Sequence, residues 1–175
     1  MTSYVLGGGC FWCIDAVFRR IKGILKTETG YAGGEGEANY YRVATGTTGY
    51  AEVTNITFDE TIIPQETILD IFFLVHDPTT LNRQGADEGT QYRSVMFYKD
   101  ESQKRQFEAA LEHAAKVWAE PIVTELAPLE TFYKAEDEHQ DYFNKHPEAG
   151  YCQIVIEPKI SKARSHYNQW FKEDE

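Results

Sequence analysis

The run YVLGGGCFWCIDAVF, from Tyr4 to Phe18, joins a strand-like triplet to a helical pattern through three consecutive glycines. Tyr4 to Leu6 can form a short strand. Gly7, Gly8 and Gly9 leave the backbone free to turn sharply or to approach another group closely. Ile14, Val17, Phe18 and Ile21 then recur at i, i+3, i+4 and i+7, one apolar face of a helix, with Gly23 where a C-terminal cap belongs. Cys10 therefore stands at or near a helix start. There a sulfur meets unpaired backbone N–H groups and the positive end of the helix dipole, which favour the thiolate and a nucleophilic role. Phe11 and Trp12 are expected to wall a small apolar pocket beside it.

The periodicities that follow alternate in kind. Thr29 to Glu52, rich in glycine, threonine and tyrosine, has no sustained period and reads as long surface loops, of a length more often functional than idle. Glu52 to Phe58 reads as a strand of imperfect alternation, with Glu52, Ile56 and Phe58 on one parity and Ala51 and Val53 on the other. Pro64 opens a helix striped by Ile68, Ile71, Phe72 and Val75 and ending near His76. Asn82 to Arg93 is a further loop and Ser94 to Tyr98 a strand. A third helix spans Ser102 to Trp118, closed by Pro121. Ile122 to Leu126 is expected as a strand, Lys134 to Lys145 as a short polar helix, and Tyr151 to Ile156 as a last strand. Interspersed strands and helices predict an α+β fold, a mixed β-sheet two-layer sandwich with flanking helices and long active-site loops. At 175 residues, positions 1–175 form a single catalytic domain.

Charge narrows the partners. With 17 basic and 28 acidic residues the chain carries −11, a field that repels phosphate backbones and anionic lipid, so neither nucleic acid nor membrane is expected as a partner. No stretch approaches the roughly 20 apolar residues of a membrane span, and the N-terminus lacks the pattern of a secretory signal, which predicts a cytoplasmic protein. Three cysteines fit reactive thiols better than a disulfide framework. Cys13 completes a C-x-x-C with Cys10, compatible with a dithiol redox pair or with half of a metal site. Zinc would need further ligands, and the chain offers only Cys152 and scattered histidines. No metal or other cofactor is expected. Two alternatives stand beside the sharper reading below: a general thiol-disulfide oxidoreductase cycling Cys10 and Cys13, and a zinc-binding interaction module holding the ion through Cys10, Cys13 and Cys152.

GCFWC at 9 to 13, GYAGG at 30 to 34, TGYAE at 48 to 52, HDPTTLNRQGADEGTQYRS at 76 to 94, AEDEHQDY at 135 to 142 and GYC at 150 to 152 closely resemble the peptide methionine sulfoxide reductase A family. The resemblance covers most of the chain in the right order. It implies that Cys10 attacks the sulfoxide sulfur and becomes a sulfenic acid while methionine departs. It implies that Phe11 and Trp12 hold the substrate methyl group, that Glu52 is the acid that protonates the oxygen, that Tyr40 and Tyr92 hydrogen-bond that oxygen, and that Asp87 orders the site around the thiolate. His139 and Tyr151 match substrate-binding positions. Cys152 matches the usual resolving cysteine, and Cys13, a departure from the commoner GCFWG, is a competing or additional one. Thioredoxin is the implied reductant, methionine S-sulfoxide, free or within proteins, the implied substrate, and a monomer the expected state. Tyr50 and Asp15 depart from residues common in the family and are expected to alter hydrogen bonds around Glu52.

Overall fold

The structure, a computed structural model, describes residues 1–172. Strand β1 (Thr2–Gly7) runs through the remaining two glycines into α1 (Phe11–Phe18), with Cys10 as the N-cap residue. There follow β2 (Ile24–Ala32), α2 (Tyr40–Ala44), β3 (Ala51–Phe58) and α3 (Gln65–Val75). Two short strands come next, β4 (Arg83–Gln84) and β5 (Asp87–Glu88), then β6 (Val95–Tyr98) and α4 (Glu101–Val117). The described chain closes with β7 (Glu125–Pro128), β8 (Tyr133–Lys134), α5 (Tyr142–Lys145) and α6 (Glu157–Tyr167). Six strands make one sheet in the order β7-β6-β1-β3-β2-β8, antiparallel except for the β6 and β7 pair. The fold is therefore α+β with a mixed sheet and flanking helices.

Both faces of this sheet are covered, which explains the imperfect alternation of β3. Ile56 and Phe58 join Tyr4, Leu6 and the helices in the main core, while Ala51 and Val53 join Val5, Val95 and Phe97 in a smaller core on the opposite face. Glu52 shares its parity with Ile56 and Phe58, so its carboxyl points toward the helix side. A buried acid on the core face of a central strand needs a partner or a proton.

Four expectations are corrected. Residues 29–32, read as loop, belong to β2, and α2 interrupts the same stretch, its N-cap Asn39 accepting from the Arg42 N–H at 2.9 Å. The strand expected from Ile122 begins at Glu125, because the Val123 N–H donates to Pro78 O outside the sheet. Lys134 to Lys145 is not one helix: Lys134 ends β8, Asp137–His139 forms a single tight turn, and Asp141 adopts a left-handed φ of 54° before α5. The Gln140 carboxamide causes this break, bonding both the N–H and the C=O of Thr29 at 2.9 Å and holding the segment across β2. Tyr151 to Ile156 is helical rather than extended; Cys152–Ile156 forms a wide π-type turn that runs on into α6. Cys152, Ile156, Ile160 and Ala163 are buried at helical spacing while Ile154 is 77% exposed, so a strand would have placed the wrong side chains inward.

Candidate active site

The glycines are required by what faces them. A Cβ on Gly8 would lie 2.8 Å from the His76 ring, and Gly9 combines φ +93° with a Cβ position 2.7 Å from Gln84 Cγ. His76 and Gln84 thus form the floor beneath the turn that delivers Cys10. Burial pushes His76 down to about 3, so the ring is neutral. Its Nδ1–H donates to Phe72 O at 2.6 Å and its Nε2 accepts from Ser94 Oγ at 2.7 Å. Gln84 accepts from the Asp77 N–H at 2.8 Å and donates back to Asp77 O. The HDPTT and NRQG stretches therefore support the turn that carries Cys10, a role sequence reading did not assign them.

Glu52 meets the first residue of α1. Its Oε1 accepts from the Phe11 N–H at 3.1 Å, and it is 2% exposed. Burial pushes its carboxyl up to about 8, with the charges of Asp87 and Cys13 adding to the rise and the Phe11 N–H opposing it. Tyr40, on α2, and Tyr92, at the end of the Thr90–Tyr92 turn, are partly buried on the same side. Burial and then the nearby Glu52 and Cys10 raise both phenols, Tyr40 to about 12, so each remains a hydrogen-bond donor. Among the described residues neither hydroxyl is held by a protein partner.

An aromatic wall closes the other side. Trp12 stacks on Tyr142 with centroids 3.7 Å apart and planes within 6°, and its Nε1–H donates to His139 Nδ1 at 3.3 Å. The His139 ring lies 4.2 Å from that of Tyr40. Burial lowers His139, which keeps Nδ1 free of a proton and able to accept. Phe11 packs on Tyr31 at 5.6 Å, and the Tyr31 hydroxyl donates to Glu136, whose second oxygen accepts the Tyr40 N–H, both at 2.9 Å. Glu136 and Tyr142 lie within the AEDEHQDY motif but were not singled out from sequence; their signal was proximity to His139. At the edge of this wall the Tyr151 ring meets that of Trp12 edge-on at 5.9 Å, and its hydroxyl donates to Asp87 Oδ2 at 2.7 Å and lies 3.7 Å from Cys13 Sγ.

One thiol, one buried acid, two phenols and an apolar wall converge at the head of α1. The sequence model of the peptide methionine sulfoxide reductase family matches residues 2–171. The chain belongs to this family. A relative named peptide methionine sulfoxide reductase MsrA, from Arthrobacter sp. (strain FB24), is 56% identical over 171 residues, covering 97% of this chain and 98% of the relative. Among solved structures, reduced Mxr1 from Saccharomyces cerevisiae superposes with a TM-score of 0.82 at 34% identity, over 86% of this chain and 88% of that one. Mxr1 in complex with Trx2 gives 0.58 at 25% identity, over 81% and 84%.

In this reductase the three thiols are arranged in sequence of depth. Cys10 and Cys13 are hydrogen-bonded neighbours, and the charge of Cys13 is felt in turn by Cys152, which is fully buried behind it. Burial pushes Cys10 well above its ordinary value, the hydrogen bond and charge of Cys13 push it further, and the backbone bond at Trp12 opposes them. The helix start alone therefore does not yield a free thiolate at Cys10. The hydrogen bond from Cys10 instead brings Cys13 down to about 7 against its own burial, with Lys159 assisting. The other two departures, Asp15 and Tyr50, lie elsewhere: Asp15 pairs with Arg19 at 2.8 Å and accepts from Thr27 Oγ1 at 2.6 Å, and the Tyr50 hydroxyl donates to Gly36 O at 2.8 Å. Neither touches Glu52.

Proposed function

We propose that residues 1–175 act as one catalytic domain that reduces the S epimer of methionine sulfoxide through Cys10, is resolved first by Cys13, and passes the disulfide to Cys152. The observation that carries this reading is the Glu52 carboxyl, buried against the first N–H of α1 beside Cys10 and protonated below about pH 8. A sulfoxide oxygen leaves only when protonated, and a neutral carboxylic acid supplies that proton. A sulfoxide sulfur carries an oxygen, a methyl group and the longer chain. Directing the oxygen to Glu52, Tyr40 and Tyr92 and the methyl to Phe11 and Trp12 leaves one hand compatible with attack from Cys10.

In the first step the Cys10 sulfur attacks the substrate sulfur, whose S–O bond breaks as the oxygen passes to Cys10. Glu52 gives its proton to the oxygen, and the Cys13 thiolate takes the Cys10 proton across their hydrogen bond. The substrate sulfur is reduced and leaves as methionine, Cys10 is oxidised to the sulfenic acid, and Cys13 ends as a thiol. Condensation of the two then releases water and forms the Cys10–Cys13 disulfide; exchange moves the bridge to Cys13–Cys152, returns Cys10 to the thiol and leaves a disulfide for a dithiol reductant. Thioredoxin fits that role, in keeping with the Mxr1 complex with Trx2. Among the described residues no helix is long and apolar enough to cross a membrane, and three unbridged thiols suit a reducing cytoplasm.

The decisive experiment is single-turnover reduction of racemic dabsyl methionine sulfoxide with chiral product analysis. The S form is expected to be consumed with one methionine per Cys10. Glu52→Gln is expected to slow sulfenic acid formation about 10²- to 10⁴-fold, the range of lost acid catalysis. An unchanged rate refutes the role of Glu52, while disulfide reduction without sulfoxide consumption selects the general oxidoreductase instead.

A further inference from the structure

Cys13 is left holding a proton by the first step, and it must lose that proton to attack Cys10. We propose that the Tyr151 hydroxyl relays it to Asp87, which makes Tyr151 the group that activates Cys13 as the resolving thiol. The inference rests on the reductase reading above. Its geometry is a line of three residues from three separate elements: Cys13 on α1, Tyr151 at the head of the π-type turn, and Asp87 on β5. The hydroxyl is 3.7 Å from Cys13 Sγ and 2.7 Å from Asp87 Oδ2. A phenol has one proton. While it donates to Asp87, its oxygen can accept only from Cys13.

The step balances. Cys13 passes its proton to the Tyr151 oxygen as Tyr151 passes its own to Asp87 Oδ2, leaving a Cys13 thiolate held by the Tyr151 O–H. That sulfur attacks the Cys10 sulfur, the S–S bond forms, and the S–O bond of the sulfenic acid breaks. The oxygen leaves as water with a proton drawn from solvent through Glu52. Cys10 is thereby reduced from the sulfenic to the disulfide level and Cys13 is oxidised to it. The groups whose charge reaches Cys13 are Cys10 beside it on α1, Tyr151, Asp87, Lys159 on α6, Glu52 on β3, and Cys152 behind it. Lys159 is a fixed cation that favours the thiolate without accepting a proton, which leaves Asp87 as the acceptor at the end of the line.

Asp87 acts through Tyr151 and is a positioning residue; Tyr151 touches the reacting sulfur. The test uses the full chain in a Cys152→Ser background, so that Cys13 alone can resolve. Methionine release and decay of the Cys10 sulfenic acid, trapped with dimedone and counted by mass spectrometry, are followed in the same single turnover. Tyr151→Phe and Asp87→Asn are each expected to slow sulfenic acid decay at least about tenfold more than they slow methionine release. The parent's decay rate is expected to vary less than about threefold from pH 6 to 8.5, and that of Tyr151→Phe to rise with pH across the same range until Cys13 is ionised to solvent. Equal slowing of both steps, or an unchanged pH profile, overturns the relay. Absence of methionine release from the parent instead overturns the reductase reading. A variant that still releases one methionine per chain has folded, so slow decay in it cannot be ascribed to misfolding.

Discussion

Glu52 is held in the protonated form that its proposed role as the acid needs by the same burial that costs the fold stability. Its carboxyl titrates at about 8 in the native chain against an ordinary 4.5. Between those values the native state binds more protons than the unfolded one, so stability falls as pH rises through that window. The acid function is likewise lost as the pH passes 8. Glutamine keeps the shape and the acceptor for the Phe11 N–H but never ionises. Glu52→Gln is therefore expected to gain thermal stability relative to the parent, by a larger margin at pH 9 than at pH 5, while losing the reduction step at both. Melting curves at the two pH values check this, and an equal margin would mean that Glu52 is ionised at little cost in the native site.

At the scale of elements, α1 and α3 were legible because each carries one helical stripe, and β3 because its two parities each hold apolar residues, as a strand covered on both faces requires. Strand β2 was not. A bulge between Ile24 and Lys26 breaks its alternation, and its last residues, Gly30 to Ala32, are buried on both faces, so no polar partner marks a period. The β-branched run of Cys152 to Ile156 suggested a strand by propensity, and tertiary burial of Cys152 and Ile156 on one helical face overrode it. The candidate site was readable as residues but not as supports, since Gln140, Glu136 and His76 act by contacts between distant segments. Gln140 offers a test. Its carboxamide bonds Thr29 twice and Ala135 O at 3.0 Å, holding the segment that presents His139 and Tyr142. Gln140→Ala strands these backbone groups, at about 1–3 kcal/mol. It is expected to raise KM for a methyl sulfoxide about tenfold with a smaller change in kcat, measured by steady-state dabsyl assay. An unchanged KM would show that the aromatic wall holds itself in place.

At the scale of the whole molecule, a twice-covered sheet sets the candidate site against the main core and leaves a second, smaller core apart from it. The site stands on the helix face, where β1 delivers Cys10 and β3 delivers Glu52, whereas the opposite face carries a cluster of Val5, Ala32, Ala51, Val53, Val95 and Phe97 beneath Ala127, Leu129 and Phe132. Phe97 anchors that smaller core. It is 2% exposed, and its ring lies so close to Gly33 that a Cβ there would sit 2.6 Å away. No residue of the site touches it directly, yet β6, which carries it, pairs with β1 at Val5, Leu6 and Gly7, just ahead of the nucleophile. Phe97→Ala removes a buried ring and leaves a cavity, a loss of about 3–5 kcal/mol. For a chain of this size the melting temperature is expected to drop by about 6–20 °C. If the two cores are separable, kcat at 25 °C stays within about twofold of the parent while the melting temperature falls. A loss of kcat well below the melting transition would show instead that the register of β6 on β1 sets the position of Cys10, and that the face without chemistry helps to aim the one that has it.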